Sequence, residues 1–258
     1  MNNINDLRYR EVLIECLYQM ADDKLLLGHR DSEWLGCCPD IEGDVAFSSI
    51  AQDEVGHATF YYQLLHQLGE DDPDRLAFGR DASKWRNCML VERENDDWTY
   101  SITRHLFFDQ FDQIRLQAMC TSSYEPLQHG VKKMIREEYY HLLHMKTWFK
   151  QLGRAGGVAT QKLQQAIEKL WPDVNGMFSF AGIEEDLLRF ELIQLTPTEM
   201  RVKWEAEMKA LFQQANMSWP GEFPQLKHDG RKGEHSAALK TLLLTMGEVY
   251  QSEPSAKW

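Results

Sequence analysis

The chain has 258 residues, 43% of them hydrophobic, and a formal net charge of −12 at pH 7. This length suits one large helical domain or two small ones, and the acidic balance argues against a general nucleic-acid-binding protein, because phosphate contacts require a basic surface. No apolar run reaches the roughly 20 residues of a membrane-spanning helix, and the N-terminus is too polar for a secretory signal. Five cysteines in no metal-like spacing indicate a reducing compartment, so we expect a cytoplasmic protein.

The first predicted helix covers about residues 7–29. One line of positions spaced three or four apart is apolar except for a single carboxylate: Tyr9, Leu13, Cys16, Met20, Asp23 and Leu27. The neighbouring line through Asp22 carries charged residues and is expected to face solvent. The periodicity therefore favours Asp23 over Asp22 as the inward carboxylate. An N-terminal helix with a slightly polar buried face is the alternative.

The second predicted helix covers about residues 40–68. Its apolar line contains one Glu and one His, three positions apart: Phe47, Ile50, Glu54, His57, Tyr61 and Leu65. Gly69 and Pro73 are typical of the end of a helix. The less regular residues 74–95 are interpreted as a surface excursion that covers the helices.

The third predicted helix begins near residues 95–97, where Asn and Asp side chains are good N-caps. Its inward line is Ile102, Leu106, Asp109, Gln113, Leu116 and Cys120. Asp109 lies in the middle of this line, whereas Asp112 falls on its flank. Asp109 is therefore the candidate ligand from this helix.

The fourth predicted helix, residues 127–152, repeats the pattern of the second. Its line is Leu127, Val131, Met134, Glu138, His141, Met145, Trp148 and Leu152. Burying an unpaired carboxylate costs several kcal/mol, so Glu138 needs a partner, and a metal ion would bind both Glu138 and His141. His144 is interpreted as a supporting or surface residue.

These four helices form two hairpins, and each hairpin supplies an acid followed by Glu-x-x-His. In carboxylate-bridged dinuclear metal proteins, two helices each offer Glu-x-x-His and two others each offer one carboxylate. The sequence thus predicts a dinuclear metal site with six ligands: Asp23, Glu54, His57, Asp109, Glu138 and His141. Neutral imidazole with carboxylate suits iron, manganese or zinc.

The rest of the chain also reads as helical. Helices are predicted over about residues 160–171, from the Thr196–Glu199 cap to about Asn216, and over about residues 236–250. No linker is evident, so we expect one domain, residues 1–258. Its bundle core would cover about residues 7–152 and a C-terminal helical extension about residues 156–258. The predicted fold class is all-α.

Several segments of the sequence resemble the phenylacetyl-CoA 1,2-epoxidase family. The resemblance is seen first in the two segments that contain the metal motifs, Gln52–Ala58 and Arg136–His141. Further segments are similar to the PaaC-type subunit: Gly28–Trp34, Asp72–Phe78, Gly230–His235 and the closing Pro254…Trp258. The resemblance covers essentially the whole chain and implies a ferritin-like four-helix bundle with additional C-terminal helices.

The resemblance also implies a function. The family's multicomponent monooxygenase adds one oxygen atom from O₂ across the 1,2 bond of the CoA-activated ring in aerobic phenylacetate degradation. The six predicted ligands would hold two irons, and NADPH electrons would arrive through a separate reductase. The implied partners are a catalytic PaaA-type subunit, further copies of this chain, the reductase, and phenylacetyl-CoA at the complex. The basic residues available for CoA phosphates are Arg30, Lys84, Arg86, Arg231 and Lys232.

Three functional hypotheses follow from these observations. In the first hypothesis, the chain is a diiron oxygenase component, because it retains the Glu-x-x-His motifs that some PaaC-type members have lost. Alternatively, it is a structural subunit that organises the catalytic partner and uses its buried charges as a hydrogen-bonded network. A ferritin-like iron store or peroxidase is a third hypothesis, which the long C-terminal extension disfavours.

Overall fold

The computed structural model describes residues 4–253 and residue 256. All regular structure in this part of the chain is helical and none of it is strand, which confirms the all-α prediction. None of its helices is long and apolar enough to cross a membrane. Pro254 and Trp258, which carried part of the resemblance, lie outside the described residues.

The helices follow the predicted order. The α-helices are α1 (Leu7–Ser32), α2 (Ile41–Gln67), α3 (Pro73–Phe78), α4 (Met89–Glu92), α5 (Trp98–Met119), α6 (Glu125–Ala155), α7 (Gly157–Val174), α8 (Glu184–Arg189), α9 (Pro197–Gln214) and α10 (Ala237–Ser252). Short 3₁₀ turns cover Ala82–Lys84, Asn175–Phe178 and Gly230–Lys232.

The helix starts are set by local capping chemistry. Asp97 caps α5 by accepting a hydrogen bond from the backbone N–H of Tyr100. At the start of α9, Thr196 and Glu199 form a reciprocal capping box, as their spacing predicts. These side chains satisfy N–H groups that have no partner inside the helix.

Contacts within the chain divide it into two compact units. We call Arg10–Glu94, together with the C-terminal residues from His228, the N-terminal unit. We call Asn95–Lys227, together with the N-terminal residues up to Tyr9, the central unit. The N-terminal unit contains most of α1 with α2, α3, α4 and α10, and the central unit contains α5 to α9. The expectation of one domain with a bundle core and an extension stays a prediction.

Helix α5 is the axis of the central unit. All of its residues are buried except Gln113 and Gln117, because α6, α7 and α9 pack around it. An aromatic cluster fills the space between α5, α7 and α9: the indole N–H of Trp204 donates to the carbonyl of Phe107 at 2.9 Å. The ring of Phe107 also contacts that of Trp171. The C-terminal helices α7 and α9 therefore complete the core around α5.

The buried face of α6 drifts from the predicted line. The positions of the predicted line from Leu127 to Met145 are buried as expected. The last buried positions, however, are Phe149 and Gly153 instead of Trp148 and Leu152. The predicted line repeats every seven residues, whereas a straight α-helix has 3.6 residues per turn and drifts by about 20° per heptad. The inward face consequently moves one position along the chain.

Helices α1 and α2 approach closely in the N-terminal unit. A Cβ atom at Gly28 of α1 would lie 2.9 Å from the Cβ of Glu54 and 3.1 Å from the carbonyl oxygen of Ala51, both on α2. Only glycine fits there without a shift. The closeness brings the backbone of α1 next to the predicted ligand Glu54.

The expectation that Asp22 faces solvent was wrong. Asp22 and Asp23 are both fully buried. The irregular segment after α3 covers the Asp22 side of α1, and its Arg80 donates hydrogen bonds to the Asp22 carboxylate. The interpretation of residues 74–95 as a covering segment therefore explains the burial that periodicity within α1 missed.

We expect Gly28→Ala to lower the free energy of unfolding by about 1–3 kcal/mol, because the new methyl group overpacks the contact between α1 and α2. Gly56→Ala is the matched control: Gly56 lies in α2, and a Cβ there meets no atom within 4 Å. Gly56→Ala should raise the free energy of unfolding by about 0.5–1 kcal/mol, since alanine favours a helix. Urea unfolding of both variants measures this, and equal effects would contradict the close approach.

Candidate metal centre

Glu138 and His141 form the half of the candidate centre that lies on α6. Their spacing of three residues places both side chains on one helix face, and both are buried. The imidazole Nδ1 lies 3.7 Å from Oε1 of Glu138. The two residues each present a possible ligand atom within 4.8 Å of the other, so a single ion is within reach of both.

Asp109 lies on α5, in the same unit. His105, one turn earlier, is within 2.7 Å of Oδ1 of Asp109, and both side chains are fully buried. Burial raises the pKa of Asp109 and the nearby charge of Glu138 raises it further, whereas His105 opposes the shift. The second oxygen, Oδ2, accepts no hydrogen bond from the described residues. It therefore remains available to a cation.

Sequence reasoning missed the role of His105, which lies off the apolar line of α5. The available signal was the His-x-x-x-Asp spacing, which puts both side chains on one helix face. Asp112 is fully buried, although it lies on the flank as predicted, and Arg115 forms an ion pair with it. The flank of α5 is buried because α5 is surrounded by other helices.

A cleft opens in the central unit. It has a volume of about 610 Å³ and lies between α5, α6 and α9. Gln110 and Leu142, the chain neighbours of Asp109 and His141, line it, and Lys146 and Lys203 also border it. Burial lowers the pKa of Lys146. The cleft is thus lined by chain neighbours of two candidate ligands and not by the ligands themselves.

In the N-terminal unit, the carboxylate of Glu54 forms an ion pair with the side chain of Lys24. The ammonium Nζ of Lys24 lies 3.0 Å from Oε1 and 3.0 Å from Oε2 of Glu54. Both side chains are fully buried. His57, one turn further along α2, is buried as predicted. The α1 residue that faces Glu54 is thus Lys24, which sequence reasoning did not consider.

Asp23 is bound by an arginine from the C-terminal part of the chain. Nη1 and Nη2 of Arg231 each donate to one oxygen of Asp23, at 2.8 Å. The backbone N–H of Cys88 adds a third hydrogen bond, at 2.9 Å. Both Asp23 oxygens are therefore engaged, so a metal would have to displace this ion pair. Arg231, an expected candidate for CoA phosphates, is buried and occupied by Asp23.

Asp22 is held by an even larger set of donors. Arg80 forms an ion pair with it, the Tyr62 hydroxyl donates at 2.7 Å, and the backbone N–H of Arg86 donates at 2.7 Å. Burial raises the pKa of Tyr62, and the adjacent Asp22 charge adds to the shift. The alternative first ligand is therefore as fully engaged as Asp23.

Glu92 is the fourth compensated carboxylate of the N-terminal unit. Its Oε2 lies 2.7 Å from Nδ1 of His235 and accepts from the amide of Asn87 at 2.9 Å. The backbone N–H of Ser236 donates to Oε1 at 2.6 Å. Burial alone would raise the pKa of Glu92, but the hydrogen bonds from His235 and Ser236 outweigh it and lower the pKa.

The two units therefore differ in how well they suit a metal. Asp109, Glu138 and His141 offer buried carboxylate and imidazole donors, a set that suits iron. Glu54, on the N-terminal unit, is a further buried carboxylate, but it carries Lys24, and Asp23 carries Arg231. The chain thus has a possible metal-binding group of carboxylate and histidine side chains. The six-ligand assignment stays a prediction, and the pairing of Asp23 disfavours it at that position.

An all-α fold with Glu-x-x-His motifs on long buried helices defines the ferritin-like class of helical carboxylate proteins. Comparison with known families is more specific: the family described as "Phenylacetic acid catabolic protein" matches residues 2–258. The chain belongs to this family, which confirms the resemblance read from its motifs.

Two curated relatives from Escherichia coli (strain K12) show where the chain lies within the family, and both are components of 1,2-phenylacetyl-CoA epoxidase. The chain is 33% identical to the C-type subunit of that enzyme, over 93% of this chain and 96% of the relative. It is 22% identical to the A-type subunit, over 88% of this chain and 74% of the relative. The chain is thus homologous to both kinds of subunit and more similar to the C-type one.

We expect the stabilising effect of Glu92 to depend on pH. Its lowered pKa means that its contribution is fully present above the usual value of 4.5 and is lost as the pH falls through the lower folded value. At pH 7, Glu92→Gln should cost ~2–3 kcal/mol.

The measurement is thermal unfolding of wild type and Glu92→Gln between about pH 3 and 8, in steps of about one pH unit. The difference between them should shrink below the usual pKa. Glu248→Gln, at an exposed position of α10, is the control and should match wild type throughout. A Glu92→Gln deficit that persists unchanged in acid would contradict the assignment.

Proposed function

We propose that the chain is the C-type subunit of an oxygenase complex of the phenylacetyl-CoA epoxidase kind, and that it pairs with a catalytic A-type chain. The observation that carries this proposal is the match to the C-type relative along 96% of its length, against the weaker match to the A-type relative. In this proposal the chain shapes and stabilises the partner that holds the reacting substrate.

The charge pairing in the N-terminal unit supports this structural role. An oxygen-activating dinuclear site needs carboxylates whose oxygens are available to metal. Asp22 and Asp23 are instead committed to arginines, and Glu54 is committed to Lys24. The acids of α1 therefore act as anchors for Arg80 and Arg231 more readily than as ligands.

The second candidate function is metal-dependent oxygen activation by this chain itself, and the Glu138–His141 pair beside Asp109 favours it. The residues that would hold iron are Asp109, Glu138 and His141, with Glu54 and His57 as further candidates. Bound iron would supply the two-electron reduction of O₂ that side chains cannot carry out alone. Whether this chain is structural or activates oxygen itself, His105 orients Asp109, and burial keeps water away from the carboxylates.

The remaining partners follow from the same proposal. Phenylacetyl-CoA would bind at the complex, and NADPH electrons would enter through a separate reductase. All five cysteines lie in the described part of the chain and none is in a disulfide. This state fits the reducing cytoplasm, where we place the complex.

The test is co-expression of this chain with an A-type subunit, followed by size-exclusion chromatography with mass determination and a phenylacetyl-CoA-dependent oxygenation assay with the reductase. We expect a stable complex that is active when the A-type chain is intact. Glu138→Ala in this chain should leave at least about half of the turnover, because the A-type chain holds the reacting atoms.

Failure of the two chains to associate would contradict the proposal. A loss of turnover of more than about 100-fold in Glu138→Ala, with the complex intact, would instead favour the second candidate. Glu137→Ala is the matched control, since the neighbouring Glu137 is only partly buried and lies in an ion pair with Lys133.

A further inference from the structure

Lys24 is the only basic side chain of α1 that lies fully buried among the described residues. Its helix brings it to the level of Glu54 on α2, where Gly28 allows the two backbones to approach. The ammonium is 3.0 Å from each carboxylate oxygen. The ammonium thus places a positive charge against both oxygens that would coordinate a metal ion at Glu54.

An ammonium and a chelating divalent ion compete for the place between two carboxylate oxygens. A protonated lysine carries three hydrogen-bond donors and no lone pair, so it cannot coordinate a metal. Two cations held against one carboxylate in a site without bulk water would also repel each other strongly. Glu54 therefore cannot chelate a metal ion through both oxygens while the ammonium of Lys24 lies against both of them.

The neighbouring acids do not restore the missing ligand. Asp23 is chelated by Arg231, and Asp22 is held by Arg80 and Tyr62. Asp22 and Asp23, the two adjacent acids of α1, thus each have an arginine partner within the N-terminal unit. Together with Glu54, these acids have positive charges supplied by side chains of the same unit.

We propose that Lys24 replaces a metal ion at Glu54, so that the chain folds without metal and binds fewer than two ions. The inference deepens the proposed function, because it gives the chemical reason why oxygen activation falls to the A-type partner. It assigns Lys24 a positioning role: the ammonium keeps Glu54 charged and α1 fixed against α2.

The first test needs no variant. The full chain is purified, stripped with a chelator and incubated anaerobically with excess Fe²⁺, and bound iron is measured by elemental analysis after desalting. We expect at most about one ion per chain, held by the ligands of the central unit. About two ions per chain would overturn the inference.

The second test is a double-mutant cycle in thermal unfolding. Removing one member of a buried ion pair leaves an uncompensated charge, so Lys24→Met and Glu54→Gln should each lower Tm by on the order of 10 °C. The combined variant should lose much less than the sum, because no buried charge is left unpaired. Additive losses, or no loss in either single variant, would overturn the inference.

Two further variants complement the double-mutant cycle. Lys132→Met removes an exposed lysine from α6 and should leave Tm unchanged. Lys24→Glu replaces the cation by a carboxylate, and added Fe²⁺ should raise its Tm while leaving that of Glu54→Gln/Lys24→Met unchanged. Equal responses of these two variants to iron would count against Lys24 as the surrogate cation.

The outcomes separate this inference from the proposed function. A chain that binds two irons and still pairs with the A-type partner overturns only the role of Lys24. A chain with the expected cycle that fails to pair overturns only the assignment as a C-type subunit.

Discussion

The compensation of buried carboxylates is the interaction on which the N-terminal unit depends. A carboxylate taken out of water is stable only beside a cation or several hydrogen-bond donors. The four pairs are Asp22–Arg80, Asp23–Arg231, Glu54–Lys24 and Glu92–His235. Arg80 and Arg231 bind the segment after α3 and the C-terminal turn to α1, and Lys24 binds α1 to α2. His235 binds the C-terminal segment to α4.

The central unit meets the same constraint differently. Asp109 and Glu138 lie beside the imidazoles of His105 and His141, whereas Asp22 and Asp23 are paired with arginines, whose guanidinium groups are always charged. This is the part of the chain where a metal would improve the charge balance. In the related motifs Glu54-x-x-His57 and Glu138-x-x-His141, Glu54 is paired with the ammonium of Lys24, and Glu138 lies 3.7 Å from the imidazole of His141.

The sequence allowed the helices and their buried faces to be predicted because periodicity and capping are local. Glu54, His57, Glu138 and His141 were recognised in this way, and all four are buried. The basic partners escaped prediction because they depend on contacts far apart along the chain: Arg231 lies 208 positions after Asp23.

Lys24 was missed for a different reason. A lysine beside two aspartates suggests a solvated face, and nothing in a helical repeat shows that its ammonium is buried against another helix. The burial of Asp22 was missed in the same way, since the covering segment has no regular period. A motif search alone therefore overstates the similarity of the two halves of the candidate centre.

The most direct test of this account is far-ultraviolet circular dichroism and thermal unfolding of the chelator-treated full chain. Because Asp22, Asp23, Glu54 and Glu92 are paired with basic side chains of the same unit, we expect full helical content and a cooperative transition without metal. A chelated chain that has lost its helical signal or its cooperative transition, with both restored by Fe²⁺, would contradict it.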